Sequence, residues 1–340
     1  MIKDYVDSKP VDFQHLEDLA TAYWYSEVLF AALDLGVFRM IESGHTGIED
    51  LARAVSCVPG QLKRFLEVLD RLGLVQRTGR QWQNRPATRQ YLLPDSPSYM
   101  GDFLLYRRYM KTGWESLVAT VSGGQRSVCQ GITPDSDYHT RTYYYVRALD
   151  QLARRKASEI ADILATEAWN APILDVGGGA GAVGRALISL RPKGQCVLFD
   201  LSEVLDAARR VYPASEHWKR VQARAGDFRS HEFSITDRYG LIVFSNFLHT
   251  YSAAEAEELV DKAAGLLSPG GCILVHDYFP DREPRSPHKG GLYDLSMMLN
   301  TFNGSCHTAD AVEDWLRKLG ATQTIVRDLP SDSSLIIARL

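Results

Sequence analysis

No run in this 340-residue chain approaches the ~18 consecutive apolar residues of a membrane span. The opening MIKDYVDSKP places charges where a secretory leader needs an apolar core, so neither a leader nor an anchor is expected. Cysteine is scarce: five residues, at 57, 129, 196, 272 and 306, with no CxxC pair and no metal spacing. That excludes a disulfide framework and fits a reducing cytoplasm. The nine histidines offer no metal-ligand spacing either, so no metal is expected. Positive charge is not in excess. A net charge of −4 argues against a chain built to coat nucleic acid or membrane. Repeats and low-complexity tracts are absent. What remains, 45% hydrophobic and 24% charged, describes a soluble globular protein long enough for two domains.

Residues 12 to about 100 read as mostly helical. LATAYWYSEVLFAALDLGVFRMIE is apolar over much of its circumference, more than one solvent-facing helix needs. TGIEDLARAV opens with the spacing of a capping box, Thr46 to Glu49. A further helix is expected from Pro59 to a stop at Gly73, and a hairpin around Thr78-Gly79. Helix, helix, helix, hairpin is the order of a winged helix. Residues 51–91 carry eight Lys/Arg against two acidic residues, which keeps a DNA-binding reading in view. The competing reading is a helical dimerisation module of the same shape, whose apolar helix needs a partner to cover it.

From about residue 145 the pattern changes. ILDV, CVLFD, VQARAGDF, LIVFS and CILVHDYF are short, mostly apolar strands separated by helices, the signature of a parallel sheet covered on both faces. QTIVRDL and SSLIIARL, joined by PSDS, read as an antiparallel hairpin at the sheet edge. The fold class expected is α/β, a doubly wound Rossmann-like sheet with a mainly helical N-terminal domain.

ILDVGGGAGAVGRAL sets a glycine loop between the first strand and its helix. Gly179, Gly181 and Gly184 match the GxGxxG fingerprint, and Asp200 lies about 20 residues on. The loop alone says only that a nucleotide-like ligand can approach the backbone closely. Asp175, just ahead of the glycines, tilts the choice. A pyrophosphate would meet a like charge there, whereas a ligand with an amine and a sulfonium would be attracted. Asp200 can accept both ribose hydroxyls, and Asp227 the adenine amino group, with Phe228 either packing the ring face or filling the core. Three carboxylates at three successive strand ends favour S-adenosylmethionine over NAD.

With these motifs in place, the sequence resembles the class I S-adenosylmethionine-dependent O-methyltransferases, in the small-molecule branch related to the plant caffeate enzymes. The resemblance rests on LDVGGGAG, FDLSEV, AGDF, SNFLHTY, LSPGG and GLYDLSMMLNTFNGSCHT, and covers most of the chain. It implies a winged-helix dimerisation domain at 1–100, a helical linker at 101–144 and a cofactor-binding catalytic domain at 145–340. It implies cofactor contacts at Gly177, Asp200, Asp227, Phe228 and Ser245. Asp175, Gly179, Leu201 and Gly226, which lie within the same motifs, complete the candidate set. His249 matches the family's general base. A homodimer in which the partner subunit helps close the acceptor site is also implied, with a small-molecule acceptor and no nucleic acid or membrane.

SNFLHTY carries that histidine directly after a strand, and Ser252 with Glu255 has the spacing of a capping box for the next helix. Two departures stand out. The family's His-Asp-Trp reads His249-Thr250-Tyr251, and its Arg-Thr-Glu reads His307-Thr308-Ala309. The carboxylate expected to orient the imidazole is missing from both places. Asp277 and His276, at the end of the fifth strand, are the replacements that spacing offers. Tyr106, Trp114, Tyr145, Met297, Met298, Asn300 and Phe302 fall in acceptor-lining segments of the family. Methyl transfer to a hydroxyl of a small aromatic or polycyclic acceptor is the leading reading. N- or C-methylation, a non-methylating relative, a nicotinamide oxidoreductase and a ligand-sensing transcription regulator are the alternatives.

Overall fold

The computed structural model describes residues 12–124, 138–282 and 287–340. The chain divides into two compact units, one ending at Arg108 and one beginning at Tyr109.

The first unit runs α1 (Phe13–Thr21), α2 (Tyr23–Asp34), α3 (Val37–Glu42), α4 (Ile48–Ala54), α5 (Pro59–Arg71), β1 (Val75–Thr78), β2 (Gln81–Asn84) and α6 (Pro86–Tyr91). The apolar N-terminal stretch is thus three helices, not one. Gly36 at φ +66° supplies the left-handed corner between α2 and α3. Leu51, Leu62, Leu66, Leu69, Val75 and Trp82 form the core of this unit. The Thr46 to Glu49 capping box does not form: the N-cap of α4 is Gly47, with no side-chain cap. Thr46 instead gives its carbonyl to the Trp82 amide at 2.9 Å, tying the helix entry to the hairpin. The hairpin turns at Gly79, φ +61°. Of the eight basic residues at 51–91, Arg53, Lys63, Arg85 and Arg89 are ion-paired with Asp50, Glu67, Asp70 and Glu42, which offsets part of the basic bias.

Helix α7 (Gly101–Glu115) crosses the boundary between the units. The second unit continues with α8 (Leu117–Gly123), α9 (Tyr138–Leu164), β3 (Ile173–Val176), α10 (Ala182–Ser189), β4 (Cys196–Asp200), α11 (Ser202–Val211) and β5 (Val221–Ala225). Then come β6 (Tyr239–Ser245), α12 (Ala253–Ala264), β7 (Leu267–Asp277), α13 (Pro287–Asn300), α14 (Ala309–Lys318), β8 (Gln323–Asp328) and β9 (Ser334–Arg339). The seven strands order as β5-β4-β3-β6-β7-β9-β8, all parallel except β9, which runs against both neighbours. Strands β3, β6 and β7 are buried on both faces, which is why they read as unbroken apolar runs. The strand order reverses between β3 and β6. In such sheets ligands bind beyond the carboxyl ends at that reversal.

Candidate active site

Three carboxylates line the carboxyl edge of β3, β4 and β5. Asp175 is fully buried, and its Oδ2 accepts the Gly184 N–H at 2.9 Å while Oδ1 has no partner. Burial first, and the neighbouring Asp200 charge next, push its carboxyl up to about 7 against the pull of the Gly184 N–H. Asp200 accepts the Gly179 N–H through Oδ2 and the Leu201 N–H through Oδ1, both at 2.8 Å. Burial raises it to about 6 despite those bonds. Both residues therefore hold the glycine loop.

The loop needs glycine for different reasons at different positions. A Cβ on Gly177, at φ +65°, would lie 2.2 Å from the Phe247 ring. At Gly179, φ +60°, a Cβ would meet nothing within 4 Å, so the loop has an open side there. An orphaned carboxylate oxygen beneath an open glycine backbone suits a ligand that brings a cationic amine and adenosine hydroxyls.

Asp227 departs from this pattern. Arg229 donates to both of its oxygens, from Nε at 3.1 Å to each and from Nη2 at 2.7 Å to Oδ2. The hydrogen bonds of Arg229 hold the Asp227 carboxyl below its usual value. Gly226 packs against the Phe199 ring and gives its N–H to the Asp200 carbonyl. Phe228 is buried in the core with Phe199, Phe233 and Phe244 rather than presenting a ring face. Leu201, by contrast, is exposed beside Asp200.

On the other side of the reversal stands His249, buried in the short turn after β6. Its Nδ1 lies 2.6 Å from Asp277 Oδ1, which also accepts the Tyr278 N–H at 2.8 Å. Burial alone would raise the Asp277 carboxyl; the charge and hydrogen bond of His249 hold it below its usual value instead. Asp277 is therefore the carboxylate absent from positions 250 and 309. The turn that carries His249 is also tied to His307, whose Nε2 lies 3.0 Å from the Leu248 carbonyl. Gly304 packs so tightly that a Cβ would lie 2.3 Å from the His249 carbonyl oxygen. The capping box at Ser252 and Glu255 is present and starts α12.

His249 Nε2 faces the Tyr293 hydroxyl of α13 at 3.5 Å, a residue the sequence reading missed. His276, the other candidate replacement, does not join His249. It contacts Ser245 Oγ through Nδ1 at 2.8 Å and Ser333 Oγ through Nε2 at 2.9 Å. Two titratable residues ending an otherwise apolar strand, VHD, were the available signal. Among the expected acceptor-lining residues of this unit, Met297 is buried, while Phe302 is 83% exposed and Tyr145 is exposed too. Asn300 donates to the Ser296 carbonyl, and its own Oδ1 is buried without a partner. Tyr106 belongs to the first unit. Among the described residues no group of His, Cys, Asp and Glu is arranged to hold a metal.

A seven-stranded doubly wound sheet with one reversed strand, and a glycine loop held by two strand-end carboxylates, are the fold of a class I methyltransferase. Residues 139–321 match the O-methyltransferase domain and residues 17–94 the O-methyltransferase dimerisation domain. The chain belongs to the S-adenosylmethionine-dependent O-methyltransferase family. It is 24% identical over 314 residues to 3-hydroxy-5-methyl-1-naphthoate 3-O-methyltransferase of Streptomyces sahachiroi, covering 91% of this chain and 89% of that one. Bovine acetylserotonin O-methyltransferase is 27% identical over 302 residues, covering 84% and 86%. The crystal structure of human N-acetylserotonin methyltransferase in complex with SAM superposes with a TM-score of 0.81 at 24% identity, covering 98% of this chain and 99% of that one.

Proposed function

We propose that this chain methylates a hydroxyl on a small fused-ring aromatic acceptor, with His249 as general base and Asp277 as the group that orients it. The relatives above are named for a hydroxynaphthoate and for acetylserotonin, both hydroxylated bicycles, and this supports an acceptor of that class. The observation that carries the proposal is the 2.6 Å contact between His249 Nδ1 and Asp277 within a buried site. A carboxylate on Nδ1 fixes the proton there and leaves Nε2 as the acceptor atom. The acceptor hydroxyl gives its proton to Nε2, and the imidazolium so formed is paired with a carboxylate that stays ionised. The sulfonium of the cofactor, when bound, supplies the activated methyl group. Asp175, Gly177, Gly179, Asp200 and Leu201 form its cradle, with Ser245 on the far wall. Asp227 takes part by sharing its oxygens between Arg229 and an adenine amino group, and Gly226 and Phe228 support the wall from behind.

The protein is read as a cytoplasmic homodimer. Free thiols at Cys57, Cys196, Cys272 and Cys306 support the compartment, and the matched dimerisation domain supports the assembly. The test is label transfer from methyl-labelled S-adenosylmethionine to hydroxynaphthoates, hydroxyindoles and simple phenols, with wild type and His249→Ala in parallel. The expected result is labelled methyl ether from wild type and a loss of about 10²–10⁴-fold in the variant. Equal labelling by both would dismiss His249 as the base.

A further inference from the structure

A second buried polar chain crosses this unit, and neither the base nor the glycine loop uses it. Lys156 on α9 is 1% exposed, and its ammonium reaches the turn between β8 and β9. It contacts the Ser331 carbonyl at 2.5 Å, Ser331 Oγ at 2.7 Å, Ser333 Oγ at 2.8 Å and Asp332 Oδ1 at 3.1 Å. Ser333 Oγ lies 2.9 Å from His276 Nε2, and His276 Nδ1 lies 2.8 Å from Ser245 Oγ. His276 is completely buried, and Ser245 ends β6 at the ligand crevice.

The direction of these bonds follows from what each group can do. An ammonium only donates, so Ser333 Oγ accepts from Lys156 and must place its own hydrogen elsewhere. Two acceptors are within reach of that hydrogen: the Ser331 carbonyl oxygen at 3.2 Å and, nearer, the His276 Nε2 at 2.9 Å. The Ser331 carbonyl already accepts Lys156 and the Ser333 amide, both at 2.5 Å, which fills its two lone pairs. The hydrogen therefore goes to Nε2. Burial first, and the Lys156 charge next, push His276 down to about 3, so the ring is neutral and carries one proton. That proton sits on Nδ1 and is donated to Ser245 Oγ. The Ser245 hydroxyl then accepts from behind, and its own hydrogen is turned outward.

We propose that Lys156, Ser333 and His276 are positioning residues, a buried relay that fixes His276 as its Nδ1–H tautomer and makes the Ser245 hydroxyl a donor toward an acceptor atom of the cofactor. The proposal rests on the cofactor reading above. With the opposite tautomer Ser245 would offer only lone pairs, at a sheet edge where Asp200 is an acceptor already.

The test has two readouts. In protein labelled with ¹⁵N-histidine, two-bond ¹H–¹⁵N spectra distinguish the tautomers, and comparison with His276→Asn assigns the signal. The expected pattern is neutral Nδ1–H, unchanged from pH 5 to 8, and shifted toward Nε2–H in Lys156→Met. A neutral Nε2–H pattern or a charged ring in the wild type overturns the relay. Titration with S-adenosylhomocysteine reads the consequence. Ser245→Ala and His276→Leu are each expected to bind roughly 3- to 10-fold more weakly, with no further loss in the double variant. His276→Asn, whose amide reproduces the Nδ1–H donor, is expected to recover most of the affinity. Additive losses, or normal binding by His276→Leu, count against the proposal. A wild type that binds no S-adenosylhomocysteine removes the cofactor reading itself; the tautomer pattern judges the relay separately.

Discussion

His249 and Asp277 meet because β6 and β7 are adjacent, in register and end together: Ser245 pairs with His276, one residue before Asp277. The carboxylate thus arrives through the sheet, from the strand end that spacing offered, rather than from position 250 or 309. Asp277→Asn keeps the shape and frees Nδ1 from its proton-holding partner. It is expected to lower kcat by about 10²–10⁴-fold with little change in cofactor affinity, measured by single-turnover methyl transfer. Asp175 makes a different prediction. Its folded-state value, about 7, is above the ordinary 3.8. Between those pH values the unfolded chain releases a proton that the folded chain keeps. Stability is therefore fully present at the acid end and is lost as pH rises through 7, by up to about 1.4 kcal/mol per pH unit. In cofactor-free protein, Asp175→Asn should gain on wild type steadily from pH 4 to 7 in denaturant midpoints; a constant difference would reject the assignment. The sequence exposed Asp175, Asp200 and His249 because each sits at a strand end beside a recognisable turn. It did not expose Tyr293, which reaches His249 from 44 positions away, and it left Phe228 open between ring face and core, of which the structure shows the core. Those depend on packing between elements, to which a linear pattern is blind.

At the scale of elements, β3, β6 and the second half of β7 were legible because burial on both faces leaves little room for polar residues to alternate. Helix starts were less so. Ser252 caps α12 as its spacing indicates, whereas Thr46 is drawn away by the hairpin, a tertiary contact outweighing a local preference. The turn that carries His249 is held on the Gly304 segment at near-contact distance. Gly304→Ala places a methyl against the backbone of His249 and Thr250 as well as Thr301 Oγ1, and the backbone cannot swing aside. The His249 turn must then shift, and a displacement of about 1 Å can cost on the order of 10²-fold in rate. The expected outcome is a fall in kcat with S-adenosylhomocysteine affinity near wild type. Parallel loss of both would show that the turn and the glycine loop move together.

At the scale of the molecule, the N-terminal unit matches a dimerisation domain, and α1 and α2 leave Phe13, Leu16, Leu19, Tyr23 and Trp24 exposed. So much apolar surface on a free monomer invites association. Trp24→Glu combined with Leu16→Glu should convert a dimer to a monomer in sedimentation equilibrium. An unchanged mass would place the interface elsewhere. The helix-helix-helix-hairpin order was readable from sequence, and its purpose came from the family resemblance rather than from charge, since counting along the chain cannot see that Arg85 and Arg89 are paired with Asp70 and Glu42.

The division of labour along the sheet edge carries a consequence for how such an enzyme diversifies. In the proposed mechanism the cofactor-side carboxylates sit on β3 and β4, the proton-handling pair just after β6 and at the end of β7, and the wall beside the base on α13, whose side chains Tyr293 and Asn300 answer to no strand register. Drift in that one helix can therefore retune which molecule is accepted while the reaction performed on it stays the same.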